Sequence, residues 1–123
     1  MLNKDALALL PITIMFLAGG CSRDISFKKD IAPILEKNCQ SCHIQGGPGY
    51  EKSGFSVASY EDVMKGTKFG PVVTPGSSLT SSLVMLIEHR ADPSINMPHG
   101  RDPLPPEDIE LIKAWIDQGA RGN

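Results

Sequence analysis

The stretch Cys39-Gln40-Ser41-Cys42-His43 decides how the rest of this chain is interpreted. Two thiols separated by two residues and followed directly by a histidine form the attachment pattern of a c-type haem. When the spacer coils into a helical turn, both sulfurs point the same way, and each can form a thioether to one haem vinyl group. His43 follows on that turn, where its imidazole can reach the iron from one side. The motif therefore predicts one covalent haem c on Cys39 and Cys42, with His43 as the proximal iron ligand.

Two other uses of this cluster are open. A thiol–disulfide exchange site needs the cysteine pair at the end of a strand in a βαβ setting, and no strand-like pattern precedes Cys39. A zinc site needs a fourth ligand, which His89 or His99 could supply, but the chain has no second pair of closely spaced cysteines. The sequence favours haem over both alternatives.

The first twenty residues differ in character from the rest of the chain. Residues 6–18 follow Lys4 and carry no charge, which is typical of a bacterial secretory signal, and this run is short for a membrane-spanning helix. Residues 17–20 lead into Cys21 and resemble the lipobox of bacterial lipoproteins, in which the cysteine is lipidated. We expect a signal peptide over residues 1–20 and a lipidated tether over 21–26. An ordinary cleaved signal and an uncleaved anchor are the alternatives.

This leader predicts a location on the periplasmic side of a bacterial membrane, with a lipid anchor on Cys21. Ser22 after the cysteine favours the outer membrane. If Cys21 is not lipidated, the protein is expected to be periplasmic or secreted. Export also places Cys39 and Cys42 in an oxidising compartment, where free thiols are a liability and covalent haem attachment removes both.

Composition limits the remaining possibilities. The chain has 123 residues, enough for one domain and a leader, and only 6% of them are aromatic. With 12 Gly and 10 Pro, the chain is rich in loops, so a bound haem is expected to supply much of the buried apolar surface. A formal charge of −2 argues against nucleic acid as a partner, because no basic stripe is present to neutralise phosphates.

Apolar residues recur at helical spacing, and no alternating run predicts a strand, so we expect an all-α domain over residues 27–120 and a short tail at 121–123. Asp30 is expected to cap the first helix. Ser59 and Gly66 are expected to bound another helix. Ser77 or Ser78 is expected to cap a third, in which four residues share an apolar face: Leu79, Leu83, Leu86 and Ile87.

The last helix is expected to begin at Pro106, since proline suits the first helical position, and to end at Gly119. Trp115 lies on its buried stripe and is expected to pack across the first helix. The intervening residues 91–105 are expected to form a loop. Residues 46–49 are rich in glycine and proline, a composition that excludes regular structure and predicts a turn. This turn could offer a backbone carbonyl to the second ring nitrogen of His43.

A carrier with one haem needs a second axial ligand, and the loop over 91–105 contains a candidate. Met97 is followed by Pro98, which restricts the backbone and can present the methionine rigidly. His99 is an alternative iron ligand, and an open or otherwise filled site is another. Met85 is expected to serve in packing and not as an iron ligand. If Met97 is not the ligand, Met64 and Met85 are the next candidates. His89 is expected to interact with the dipole at a helix end.

Taken together, these residues resemble a small class I-like cytochrome c, specifically the planctomycete-type cytochrome c domain, over roughly residues 27–120. The resemblance implies a class I cytochrome c-like fold of about four short helices, with long loops wrapped around one covalent haem. It also implies Met97 as the distal ligand and electron transfer as the task. His99 departs from the family, which more often has proline or a small residue there. The matching pieces are residues 30–35, 39–43, 70–76, 82–83, 97–98 and 115–120.

We therefore expect a membrane-tethered, monohaem electron carrier that exchanges electrons with redox partner proteins and is not an enzyme. His43 and Met97 together would leave no open iron coordination site, which suits electron transfer and disfavours oxygen or peroxide chemistry. The alternatives are a haem-based sensor or a redox-enzyme accessory domain with a labile sixth ligand, and a thiol–disulfide exchange protein. No catalytic residue is predicted.

Overall fold

The computed structural model describes residues 23–123, and these residues form an all-α fold, as predicted. The predicted signal peptide and Cys21 lie outside the described residues. Within residues 23–123, β pairing is limited to an isolated bridge between Thr67 and Gly70. No helix in this part of the chain is both long enough and apolar enough to cross a membrane. A π-helical segment, Phe27–Ile31, precedes five α-helices: α1 (Ala32–Asn38), α2 (Pro48–Ser53), α3 (Tyr60–Lys65), α4 (Ser82–Ile87) and α5 (Pro106–Asp117).

The first helical segment begins earlier than the sequence predicted. Ser26 has an extended backbone, and its hydroxyl accepts a hydrogen bond from the backbone N–H of Lys29 at 3.3 Å. The Asp30 carboxylate accepts the backbone N–H of Ser26 at 2.8 Å, so the two side chains cap the segment reciprocally. The prediction that Asp30 is the N-cap was wrong: Asp30 lies inside the first helical turn and supports the cap from there.

The two ends of the described chain are joined. The hydroxyl of Ser26 donates to the carbonyl of Asn123 at 2.7 Å, and the backbone N–H of Lys28 donates to the same carbonyl at 3.1 Å. Ile25 is buried, and its backbone N–H donates to the side-chain oxygen of Gln118 at 2.9 Å. The folded unit therefore includes residues 23–26 and 121–123, which the sequence assigned to a tether and a tail.

Helix α5 packs against the first helical segment through Trp115, as predicted. The Trp115 and Phe27 rings lie 5.5 Å apart, and the indole N–H donates to the carbonyl of Arg121 at 2.9 Å. Phe27 also meets Tyr60 edge to face at 5.2 Å. Phe27, Tyr60 and Trp115 therefore join the first helical segment, α3 and α5. Full burial of a large apolar side chain contributes about 1.5–3 kcal/mol to stability. The same core cluster includes the buried residues Ile31, Leu35, Ile112 and Ile116.

Helix α4 begins later than predicted. Ser78 does not cap it, because Asp117 at the end of α5 accepts both the backbone N–H and the hydroxyl of Ser78, at 2.7 and 2.9 Å. Residues 77–81 form turns, and Leu79 is 82% exposed instead of sharing the apolar face. The helix buries Leu83 and Ile87. The other predicted boundaries agree better: Ser59 caps α3, Gly66 ends it, and α5 begins at Pro106.

Candidate haem attachment site

The cysteine–histidine motif continues directly from α1 as a helical turn. Cys39 follows the last residue of α1, and its backbone N–H donates to the carbonyl of Leu35 at 2.8 Å. Its own carbonyl accepts the backbone N–H groups of Cys42 at 3.1 Å and His43 at 2.9 Å. The spacer is therefore coiled as the motif requires, and burial of the α1 side chains Ile34 and Leu35 positions it against the core.

Two later segments hold the motif from outside. The backbone N–H of Tyr50 donates to the carbonyl of Cys42 at 2.9 Å, and the backbone N–H of Val57 donates to the carbonyl of His43 at 2.8 Å. Tyr50 lies in α2, which starts at Pro48. The expectation that residues 46–49 contain no regular structure was therefore wrong, because Pro48 takes the first helical position, where its missing N–H is no disadvantage.

The His43 ring is oriented by a backbone carbonyl. Its Nδ1 lies 3.3 Å from the carbonyl oxygen of Phe55, and the Phe55 ring meets the imidazole edge to face at 5.3 Å. This geometry assigns the proton to Nδ1 and leaves the lone pair of Nε2 for a metal. The sequence predicted such a carbonyl from the turn at residues 46–49. It comes instead from Phe55, beyond the end of α2.

The electrostatic setting of His43 also suits coordination. Burial lowers the pKa of the imidazole below its usual 6.5, and the hydrogen bond to the Phe55 carbonyl opposes this effect. A histidine binds a metal through its neutral form, so the lower pKa favours the state that coordinates.

Cys39 and Cys42, the two cysteines of the motif, have different surroundings. Cys39 is partly buried against the core, and burial raises the pKa of its thiol to about 11. Cys42 is exposed. Exchange chemistry needs a thiolate with a lowered pKa, so the environment of Cys39 argues against a thiol–disulfide exchange site.

The zinc alternative gains no support from the arrangement of side chains. Between residues 23 and 123, no group of three or more His, Cys, Asp or Glu side chains could hold a metal ion. His99 is exposed, whereas His89 is half-buried and hydrogen-bonded to another part of the chain.

Met97 is held in the loop between α4 and α5. Its side chain is half-buried against the same core that Cys39 contacts. Its backbone N–H donates to the carbonyl of Leu86 at 3.1 Å, and its carbonyl accepts the Nε2–H of His89 at 3.0 Å. His89 follows the end of α4, as expected, and its ring is hydrogen-bonded to the loop. Met64 packs against the core, and Met85 is half-buried.

A cleft of about 640 Å³, open to solvent, lies between the end of α1 and the loop that follows Met97. This volume falls within the roughly 300–1,000 Å³ of small-molecule and cofactor sites. Arg101 lies on its wall, donates to the carbonyl of Asn38 at 2.6 Å, and is near enough to Cys39 for its charge to act on that thiol. A guanidinium there suits a group that carries carboxylates, as haem does. The lining residues are Asn38, Pro98, Gly100, Arg101, Asp102, Pro103 and Leu104.

Three contributors to this site were not identified from the sequence. Gly49 and Phe55 enclose the His43 ring, and His89 contacts the backbone of Met97. Gly49 directly after Pro48 suggested a turn that could offer a carbonyl to His43, and nothing near Phe55 or His89 in the sequence indicates these contacts. The structure gives no direct contact between the predicted proximal side, at His43, and the predicted distal side, at Met97.

These features define a class of protein. Residues 23–123 form short helices and no sheet, the Cys-x-x-Cys-His motif forms a turn, and the Nδ1 of its histidine is bound to a carbonyl. These features are typical of c-type cytochromes. Residues 39–99 match the family described as planctomycete cytochrome C, so the predicted resemblance is confirmed. The match begins at Cys39, ends at His99 and so spans every predicted haem ligand. No curated protein and no solved structure matches the chain.

The family resemblance has direct chemical implications. A cytochrome c domain implies covalent binding of haem c and suggests a haem-based role in electron transfer. It fits an electron carrier better than an enzyme.

Proposed function

We propose that this protein is a monohaem c-type cytochrome that carries electrons in the periplasm while tethered to a membrane. The observation that carries the proposal is the geometry of His43. The ring follows the cysteine turn, its Nδ1 is bound to the carbonyl of Phe55, and its Nε2 is left for a metal. The family match over residues 39–99 supports the same conclusion.

In this proposal Cys39 and Cys42 attach the haem, and the haem iron supplies a one-electron couple. His43 binds from the proximal side, and the Phe55 carbonyl makes its imidazole a stronger donor. Met97 would be the second ligand from the protein, and a soft thioether there would favour the ferrous state and raise the reduction potential. With His43 and Met97 both bound, electrons would pass to redox partner proteins without a substrate reaching the metal.

The simplest test is to produce the protein in a host that attaches haem c and to record its absorption spectrum and mass. A red product with a sharp Soret band, and a mass increased by one haem, would support the proposal. A colourless product, or a mass showing no covalent haem, would contradict it. Poor binding of carbon monoxide at neutral pH would separate the carrier from a haem sensor or accessory domain with a labile sixth ligand.

Two loop variants test the distal ligand. Met97→Ala is expected to lose the far-red sulfur-to-iron band and to lower the reduction potential while haem stays covalently bound. His99→Ala, a matched change two residues away at an exposed site, is expected to change neither property. If Met97→Ala keeps the band and the parent potential, Met97 is not the ligand. Loss of the band in His99→Ala would show that His99 helps to keep the thioether on the iron.

The membrane tether depends on Cys21. Lipidation there would leave a short link, because the chain is already packed into the domain at Ile25. The domain would then stay close to the bilayer surface. Cys21→Ser is expected to release the protein from membranes or to stall its processing. Mass spectrometry of a mature chain that carries an unmodified Cys21 would contradict the tether and leave the haem assignment standing.

A further inference from the structure

Both backbone polar groups of Met97 are bound by residues at or just after the end of α4. Its N–H donates to the carbonyl of Leu86 at 3.1 Å, and its carbonyl accepts the Nε2–H of His89 at 3.0 Å. One residue of a long loop is therefore held on both sides by a short piece of chain. The bond to Leu86 uses a backbone carbonyl, which any residue at that position would supply. The bond from His89 uses a side chain and therefore depends on the identity of residue 89.

The backbone of His89 adopts an unusual conformation that brings its ring to this position. Its φ is +54°, in the left-handed region that residues other than glycine seldom adopt. Helix α4 ends at Ile87, and the chain reverses at His89. The ring is half-buried and reaches the loop eight residues further along the chain. The left-handed backbone of His89 costs free energy, because residue 89 is not glycine. The same residue makes the contact to the proposed ligand Met97.

The end of α4 is a firm support for such a contact. Leu83, Val84 and Ile87 are buried, and Glu88 forms an ion pair with Lys113 of α5 at 3.2 Å. The loop has its own internal support, because the buried Asn96 side chain accepts the backbone N–H of Ala91 at 3.1 Å. The His89 bond therefore joins two parts of the chain that are each already ordered.

We propose that His89 is a positioning residue that holds Met97 in place to ligate the haem iron. This inference rests on the proposed function, in which Met97 is the distal ligand. Without the His89 bond, the Met97 backbone would keep only its bond to Leu86, and the thioether would leave the iron more often. Removal of one hydrogen bond of ordinary strength predicts about a fivefold increase in the fraction of time during which the distal position is open.

A matched pair of variants tests this role. The side-chain amide of Gln can place an N–H where the histidine Nε2–H lies, whereas the shorter Asn tolerates the left-handed backbone but does not reach as far. In haem-loaded protein, His89→Asn is expected to bind carbon monoxide about fivefold faster, to weaken the far-red band and to lower the reduction potential. His89→Gln is expected to restore all three towards the parent values.

Thermal unfolding of the same proteins separates positioning from a general structural role. If His89→Asn lowers the melting temperature but leaves carbon monoxide binding, the far-red band and the potential unchanged, the inference is overturned. If His89→Asn does not accumulate, His89→Gly serves instead, because glycine relieves the backbone strain while removing the bond. Unchanged carbon monoxide binding in His89→Gly would also overturn the inference, and faster binding would support it.

Met97→Ala distinguishes this failure from failure of the proposed function. If Met97→Ala keeps the far-red band and still excludes carbon monoxide, Met97 is not the ligand, and the proposed ligation fails. If Met97→Ala opens the iron but His89→Asn does not, the ligation stands and only the positioning role of His89 is lost.

Discussion

The Cα hydrogen of Gly49 faces the His43 ring, and this small feature determines how closely the ring can approach α2. A Cβ built at Gly49 would lie 2.8 Å from Cε1 of His43 and 3.0 Å from the carbonyl oxygen of Cys42. Neither neighbour can give way freely, because the ring is bound to Phe55 and the carbonyl accepts the N–H of Tyr50. The absence of a side chain at Gly49 therefore lets the imidazole pack between α2 and Phe55.

Gly49→Ala is expected to destabilise the protein, because overpacking costs about 1–3 kcal/mol and outweighs the up to ~1 kcal/mol that alanine gains over glycine in a helix. The ring would shift away from the Phe55 carbonyl, so the haem spectrum should change as well. Urea unfolding and the Soret band measure the two effects. Lys52→Ala, an exposed change in α2, is the control. Equal stability and spectra for the two variants would show that the site has room for a methyl group.

The first helical segment shows how one carboxylate can stabilise a whole element. Asp30 accepts the backbone N–H of Ser26, and Arg23 donates to the same carboxylate at 3.0 Å. The bond from Ser26, followed by the contact with Arg23, lowers the pKa of Asp30 below its usual 3.8. Because the folded-state pKa is lowered, the contribution to stability is present above pH 3.8 and is lost as the pH falls through the lower, folded-state value.

Asp30→Asn is therefore expected to be less stable than the parent at neutral pH, with a difference that shrinks as the pH falls below 3.8. The free energy of unfolding, measured across the acid range for both proteins, tests this. Glu36→Gln removes one negative charge from an exposed site on α1 and serves as the control. A difference between Asp30→Asn and the parent that does not change with pH would contradict the ionised-cap explanation.

For the molecule as a whole, the central question is how a chain with so few aromatic residues holds together. Its described core is a band of aliphatic residues around Phe27 and Trp115, extending to the buried faces of α4 and α5. Long connections carry the remaining residues around this band, and Met97 and Cys39 lie at its margin. A bound haem would add apolar surface at that margin, so we expect attachment to contribute to stability as well as to function.

Cys42→Ala tests this expectation cleanly, because Cys42 is exposed and its removal alone should change stability by no more than about 0.5 kcal/mol. A large loss of accumulation and thermal stability would therefore report the missing thioether and haem. Ser41→Ala, an exposed change in the same turn, is the matched control and should behave like the parent. Equal accumulation and melting temperature of haem-free Cys42→Ala would show that the fold does not depend on the cofactor.

Several features of this protein follow from its sequence alone, because they depend on residues close together in the chain. The Cys39–His43 turn, the cap at Ser59 and the start of α5 at Pro106 each depend on contacts within about one helical turn. The all-α class follows from apolar spacing along the chain. Local rules misplaced the start of α4, because Asp117, 39 residues away from Ser78, engages the serine that was expected to cap it.

The tertiary structure decided which groups support the predicted site. The carbonyl that orients His43 belongs to Phe55, twelve residues away, and the ring that holds Met97 belongs to His89, eight residues away across a loop. The hydrogen bonds that join residues 23–26 to the end of the chain link residues more than ninety positions apart in the sequence. A sequence pattern specifies which residue types can make such contacts. The partners of these residues are determined only when the apolar faces of the helices pack and bring distant backbone groups together. Polar groups that become buried in this way are then hydrogen-bonded to whatever partner lies beside them.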